Sequence, residues 1–304
     1  MSDQPCPPQA AVNSASPDAE RSSAALRVAI VGSPVKASVP QTLERTLRWL
    51  QGRAEVVFAE ITAESQRALA ARPDLLVVLG GDGTLIAVVH NLRERQVPIV
   101  GVNLGKLGFL AEFTIDQLER NGDFLFSGGL PLTRRVMLAV RLETGAGRVI
   151  QTLAVNDCVV LSGPPFRMIE LHVQVDDEQV AEIRGDGLII ATASGSTAHN
   201  LSAGGPILEP TAEAFLLTPI CPHALTFRPV ALDARRRVVV HGARVNEGTT
   251  VAVDGQENFT FCTADRLEIT RYPADFLLVR NPRRSTWYSL RRKLMWGANP
   301  QSEG

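Results

Sequence analysis

The sequence predicts two domains, an α/β unit with a parallel sheet followed by an all-β sandwich, and three observations carry that expectation. Between Arg27 and Val102, short apolar runs alternate with helical stretches. Past about Leu130 the texture changes to runs rich in β-branched residues with turn residues between them. With 304 residues, 45% of them hydrophobic, the chain can fill cores of that size.

In order, Val28–Val31, Val56–Ala59, Leu75–Leu79 and Ile99–Val102 read as strands, and Thr42–Leu50, Ala63–Ala71 and Leu85–Arg95 as the helices between them. Strand and helix alternating at this spacing build βαβ units. Val136–Leu142, Ile150–Leu161, Ile169–Val175, Val238–Val240, Thr250–Val253 and Leu267–Thr270 supply the second domain. The boundaries expected are a tail over 1–25, the α/β domain over 26–129, the sandwich over 130–280 and a final segment over 281–304. The tail is rich in Ala, Ser, Pro and Gln and too poor in large apolar side chains to offset the entropy of ordering. The final segment mixes Trp287, Tyr288, Leu290, Leu294 and Trp296 with Arg283, Arg284, Arg291, Arg292 and Lys293. It reads as an amphipathic stretch that docks on the first domain, with a membrane or nucleic-acid patch as the alternative.

Lysine and arginine total 31 against 32 acidic residues, so no overall positive field exists to hold a nucleic-acid backbone or an anionic membrane. No apolar stretch is long enough to span a bilayer. The cysteines, Cys6, Cys158, Cys221 and Cys262, form no CxxC pair, so neither a zinc site nor a disulfide framework is indicated and a cytoplasmic location is expected.

The first chemical signal follows the third strand: Gly80-Gly81-Asp82-Gly83-Thr84. Glycines there let backbone approach a ligand, and N–H groups at the start of the next helix can hold phosphate. A tight structural turn is the bland alternative. Asp82 argues against it, because a carboxylate among glycines has no packing role and suits a general base, a sugar hydroxyl or a metal. The run is neither a Walker A loop nor a GxGxxG fingerprint.

Gly80–Thr84 resembles the signature shared by NAD kinases, diacylglycerol and sphingosine kinases and, more distantly, 6-phosphofructokinases. Further segments resemble the NAD kinase family in particular, spreading the likeness over roughly residues 27–296. Asn103-Leu104-Gly105-Lys106-Leu107-Gly108-Phe109 is similar to that family's glycine loop beside the nucleotide. Asn156-Asp157 matches its Asn-Asp/Glu pair, whose groups suit an adenine edge and ribose hydroxyls. The longest match runs from Arg184 to Pro206, dense in Gly, Ser, Thr and Ala, which is poor core material but suits a ligand passing close to the main chain. Val253-Asp254-Gly255-Gln256 resembles a late family turn, and a plain hairpin accounts for Asp254-Gly255 equally well. Thr218–His223 also matches and reads as structural.

The resemblance implies a Rossmann-like first domain and a β-sandwich second domain with NAD between them. It implies a kinase that phosphorylates the 2′-hydroxyl of the adenosine ribose of NAD, with Asp82 as catalytic base. The implied NAD site comprises Asp82, Gly83, Asn156, Asp157, Arg167, Arg184, Asp186, Ser194, Thr197, Ala198, His199, Asn200, Leu201, Ser202 and Gln256. The implied donor site comprises Gly80, Gly81, Gly83, Thr84 and Lys106. In many oligomeric members a residue like Arg167 reaches a neighbouring subunit's site, so a homodimer or homotetramer is expected. Mg²⁺ is expected to arrive with ATP, since no carboxylate cluster marks a dedicated metal site. The chain departs from the family where Ala191–His199 stands for Ser-Thr-Pro-Thr-Gly-Ser-Thr-Ala-Tyr: His199 offers less stacking area than tyrosine and is able to carry a positive charge. The donor, ATP or polyphosphate, and the use of NADH stay open, as do a lipid kinase and a non-catalytic NADP sensor on the same scaffold.

Overall fold

The computed structural model describes residues 25–105, 108–285 and 287–295. Its first domain runs β1 (Arg27–Gly32), α1 (Val39–Leu50), β2 (Glu55–Glu60), α2 (Gln66–Ala70), β3 (Leu75–Leu79), α3 (Asp82–Leu92), β4 (Ile99–Val102), α4 (Ile115–Asn121) and β5 (Leu132–Arg135). The second domain runs β6 (Leu138–Glu143), β7 (Val149–Ala154), β8 (Asp157–Leu161), β9 (Ile169–Val175), β10 (Glu178–Gly185), β11 (Gly187–Thr192), α5 (His199–Ser202) and β12 (Ala214–Ile220). It continues with β13 (Val230–Asp233), β14 (Val238–Arg244), β15 (Thr250–Val253), β16 (Glu257–Thr260) and β17 (Arg266–Arg271). The chain then returns to the first domain through β18 (Phe276–Val279) and α6 (Tyr288–Leu294).

The first sheet has the order β2-β1-β3-β4-β18-β5, parallel except for the antiparallel β18–β5 edge. Its central strands read as unbroken apolar runs because both faces are covered. Val28, Ile30, Leu75, Val77 and Leu79 pack on one side with Trp49 and Leu50 of α1, while Ala29, Val31, Leu76 and Val78 pack on the other with Leu85, Val88 and Val89 of α3. Each such buried side chain contributes about 1.5–3 kcal/mol relative to exposure. Helix α1 starts at Val39, before the expected Thr42, because Pro40 fits the first turn. Helix α3 starts at Asp82, before the expected Leu85, because the glycine turn is itself its first turn.

The second domain is two antiparallel six-stranded sheets, β10-β9-β14-β17-β6-β7 and β13-β12-β11-β8-β15-β16. Leu138, Val140, Ile169, Val238 and Leu267 of the first meet Cys158, Val160, Leu188, Ile190 and Val251 of the second in one buried core. Three expectations need correction. The run Ile150–Leu161 is two strands, β7 in one sheet and β8 in the other, with the corner at Val155-Asn156. The segment Arg184–Pro206 is not uniformly poor core material: Gly187–Thr192 is a fully buried strand whose Ile189 and Ala191 are covered on the outer face by Ala203 and Leu208. The boundaries at 129/130 and 280/281 each move by a strand, because the short β5 and β18 satisfy their backbone on the first domain's sheet. The tail, residues 1–24, lies outside the described residues.

Candidate active site

The turn after β3 lies beyond the carboxyl ends of the parallel strands, where open α/β sheets bind ligands. Gly80 is required there, since a Cβ would meet the Thr84 side chain at 2.4 Å. Asp82 projects from the first turn of α3 against the loop after β4. Its Oδ2 accepts the Phe109 N–H at 2.7 Å, and its Oδ1 accepts those of Leu110 and Ala111, each at 3.1 Å. Gly108 makes this possible, because a Cβ there would stand 1.8 Å from Oδ1. Lys106, expected at the donor phosphates, lies outside the described residues. Lys36, in the loop after β1, brings its ammonium over the turn: a Cβ on Gly81 would lie 3.4 Å from Nζ. No motif surrounds Lys36, and only its position after a parallel strand could have signalled it.

Across the cleft stands the corner of the second domain. Where the chain leaves one sheet for the other, the N–H groups of Val155, Asn156 and Asp157 point to the carboxylate of Asp254, at 2.7, 2.7 and 3.0 Å. The Asp254 side chain is fully buried, and its Oδ2 also lies 2.7 Å from His90 Nε2 at the far end of α3. At the near end, Gln256 Nε2 donates to the Gly83 carbonyl at 3.0 Å. The turn Asp254–Gln256 therefore grips both ends of the helix that carries Asp82. A hairpin explanation of Asp254-Gly255 overlooks this second duty, and His90 carried no sequence signal beyond its place in α3.

Asp157 is buried, and burial together with the neighbouring Asp254 charge pushes its pKa up to about 7, against a smaller opposing pull from the backbone N–H of His199. Ser194 is buried and Thr197 half-buried along the same wall, and Ala198 follows them. His199 keeps its ring exposed at the start of the single turn α5, with Leu201 and Ser202 behind it. Asn200 does not face the cleft: it is fully buried, its Nδ2 donates to the Ser196 and Pro206 carbonyls, and its Oδ1 accepts from Thr218 Oγ1. Its amide holds the loop together, which corrects the ligand role expected for it.

Gln256 thus joins Gly83 at the start of α3, Asn156 and Asp157 sit at the corner held by the same turn, and Ser194 and Thr197 line a crevice with Arg135. Arg167, Arg184 and Asp186 lie elsewhere. Gly187 pairs with Leu161 and Ala191 with Asp157, so Asp186 stands past the other end of β8, roughly 17 Å along at ~3.3 Å per residue. Arg167 is exposed there, and Arg184 pairs with Glu170 at 2.8 Å.

With this geometry in place, two family models match the chain: ATP-NAD kinase N-terminal domain over residues 29–128 and ATP-NAD kinase C-terminal domain over residues 155–281. The chain belongs to the NAD kinase family. The NAD kinase of Rhodopirellula baltica is 36% identical over 273 residues, covering 89% of this chain and 86% of that protein. The NAD kinase of Trichlorobacter lovleyi is 40% identical over 235 residues, covering 77% and 82%. Among solved structures, yeast NADH kinase complexed with NADH shares the fold, with a TM-score of 0.76 at 23% identity over 91% of this chain and 89% of that one. An NAD kinase from Archaeoglobus fulgidus in complex with ATP gives a TM-score of 0.70 at 29% identity over 84% and 94%.

For this member of the NAD kinase family, Asp157 has a measurable pH signature. Its pKa in the folded chain lies above the ordinary aspartate value of about 3.8, so the folded chain holds an extra proton between about pH 4 and about pH 7. The stability this supplies is whole below that window and lost as pH rises through 7. Relative to the non-titrating Asp157→Asn, the wild type should therefore lose ground on going from about pH 5 to about pH 8. Thermal unfolding of both proteins at both pH values reads this out; a pH-independent gap in Tm would mean that Asp157 is ionised throughout.

Proposed function

We propose that this chain transfers a phosphoryl group from ATP or another condensed phosphate to the 2′-hydroxyl of the adenosine ribose of NAD, giving NADP, with Asp82 as the base. NAD phosphorylation is the activity that the curated relatives carry in their names. The observation supporting Asp82 is its hydrogen bonding. A carboxylate has about four acceptor directions. Three are taken by the Phe109, Leu110 and Ala111 N–H groups, leaving one on Oδ2 for a substrate hydroxyl. A ribose hydroxyl is a poor nucleophile near neutral pH, and an aligned carboxylate that takes its proton as phosphorus is attacked removes that obstacle. Asn156 and Asp157, across the cleft, offer an amide for the adenine edge and a carboxyl for the ribose.

Mg²⁺ carried in with the donor would supply charge neutralisation at its phosphates. Among the described residues no three His, Cys, Asp or Glu side chains come together to hold an ion. The test is NADP formation from NAD, ATP and Mg²⁺, followed with an NADP-specific dehydrogenase and repeated with polyphosphate. Binding of NAD or NADP without turnover on either donor would replace the kinase reading with that of a sensor.

Arg167, Arg184 and Asp186 serve the cleft of a second copy in this reading, which makes the working enzyme a homo-oligomer. Their distance from Asp157 within one chain is the support for it. Asp82→Asn and Asp186→Ala chains, each inactive alone, should regain activity when co-assembled, because a hybrid contains one intact site. Activity no greater than the sum of the separate variants would sink the shared site.

A further inference from the structure

Beside Asp82 lies a crevice whose charges do not balance. Arg135, at the end of β5, is 5% exposed, yet its guanidinium is poorly matched. Nη1 reaches Ser194 Oγ only at 3.4 Å, Nη2 stands 3.9 Å from Glu112 Oε1, and Nε has no hydrogen-bond partner among the described residues. Burial draws its pKa down to about 10, with Arg280 acting in the same direction while Glu112 and Asp82 oppose. Arg284, from the segment after β18, donates Nη2 to Gln117 Oε1 at 2.7 Å and lies over the Tyr288 ring at 5.1 Å; its Nε and Nη1 are buried and find no hydrogen-bond partner among the described residues. Arg280 lines the same crevice. Three arginines thus face two carboxylates, Glu112 and Glu209, and Glu112 already accepts the Asn281 N–H at 2.8 Å.

Buried N–H donors without acceptors cost stability, more so on a charged group, and such sites persist where a ligand completes them. The missing partner is an anion rich in oxygen acceptors, because a guanidinium fork fits phosphate oxygens. Position narrows its identity. Arg284 lines both this crevice and the adjoining cleft that holds Asp82, Gly105, Gly108, Arg292 and Lys293. Lys293 is held there, its ammonium 4.2 Å from the Phe109 ring centroid. The crevice's other wall is Ser194 and Thr197, from the segment beside Asp157.

We infer that Arg135 and Arg284 form the receptor for the phosphoryl group in transit, the terminal phosphate of a condensed-phosphate donor, with Arg292 and Lys293 along the rest of the donor chain. The inference rests on the kinase reading. In the step, the ribose oxygen bonds to phosphorus, its proton passes to the Asp82 carboxylate, and the bridging P–O bond breaks with its electron pair leaving on the shortened donor. Both guanidiniums keep their protons and bind the non-bridging oxygens, where charge is carried through the transfer.

The test uses Arg135→Met and Arg284→Met in the full chain. Inorganic tripolyphosphate should raise the Tm of the wild type, and each variant should lose at least half of that rise. NADP formation should fall about 10²–10³-fold, with KM for NAD within about twofold. If tripolyphosphate raises Tm only when ATP also does, both donors share the site; a rise with ATP alone assigns it to nucleotides. Should Arg135→Met not fold, Arg284→Met carries the comparison, since that side chain is only partly buried. Wild-type Tm shifts or near-wild-type turnover in the variants would overturn the receptor. A wild type that makes no NADP, while the variants still lose the tripolyphosphate shift, would overturn the kinase reading and leave the anion site standing.

Discussion

Asp82→Asn is expected to lower turnover by about 10²–10⁴-fold while NAD still binds. The amide cannot take the hydroxyl proton at neutral pH, and the geometry sharpens the expectation. Two N–H groups converge on Oδ1 and one on Oδ2, so whichever position the new NH₂ takes, it faces a backbone donor in place of an acceptor. The variant therefore loses the base and also part of its anchoring to the loop after β4. Comparing single-turnover rates with NAD affinity separates these losses, because the anchoring loss alone would weaken binding and leave chemistry in the bound complex largely intact. Turnover within a factor of about ten of the wild type would remove Asp82 from the role of base.

Asp254→Ala is expected to cost on the order of 3–5 kcal/mol of stability, although it changes a residue with no substrate contact in this reading. The carboxylate is fully buried and collects three consecutive N–H groups plus His90. Without it, the Val155–Asp157 corner keeps buried donors with no acceptor, each a penalty of roughly 1–3 kcal/mol if water cannot reach it. Two further consequences distinguish this network from general destabilisation. The corner should loosen, raising KM for NAD more than it lowers kcat. Loss of the Asp254 charge should also bring the Asp157 pKa down from about 7, moving the pH at which that group titrates. Chemical denaturation, NAD titration and a pH profile of the same variant check all three. Stability and KM close to wild type would show that the corner holds its shape by other means.

Each domain was legible in the sequence to a different depth. Leu75–Leu79 followed by Gly80–Thr84 announced a strand and a turn together, because a strand buried on both faces is apolar throughout and the close approach of Thr84 needs glycine at 80. Asn156-Asp157, a polar break in a β run, likewise marked the corner between two strands. Helix starts were less legible, since glycine at 81 and 83 lowers helix propensity although those residues form the cap and first turn of α3. Gly187–Thr192 was misjudged because its small neighbours hid a central strand whose outer face is covered by residues some fifteen positions later.

By itself, then, the sequence determined the order of the domains, the turn that carries Asp82, and the kinship that names the chemistry. Those depend on contacts close along the chain, where spacing and residue type are visible. Tertiary structure alone decided that Asp254 holds the Asn156-Asp157 corner about a hundred residues away, that Asn200 serves the fold and not the cleft, and that Arg184 and Asp186 stand a strand's length from Asp157. It also decided that Arg135 and Arg284, widely separated in sequence, meet beside Asp82 with donors to spare. Charge and hydrogen-bond balance belong to places in space, and a linear pattern records neither which groups are buried together nor which are left without partners.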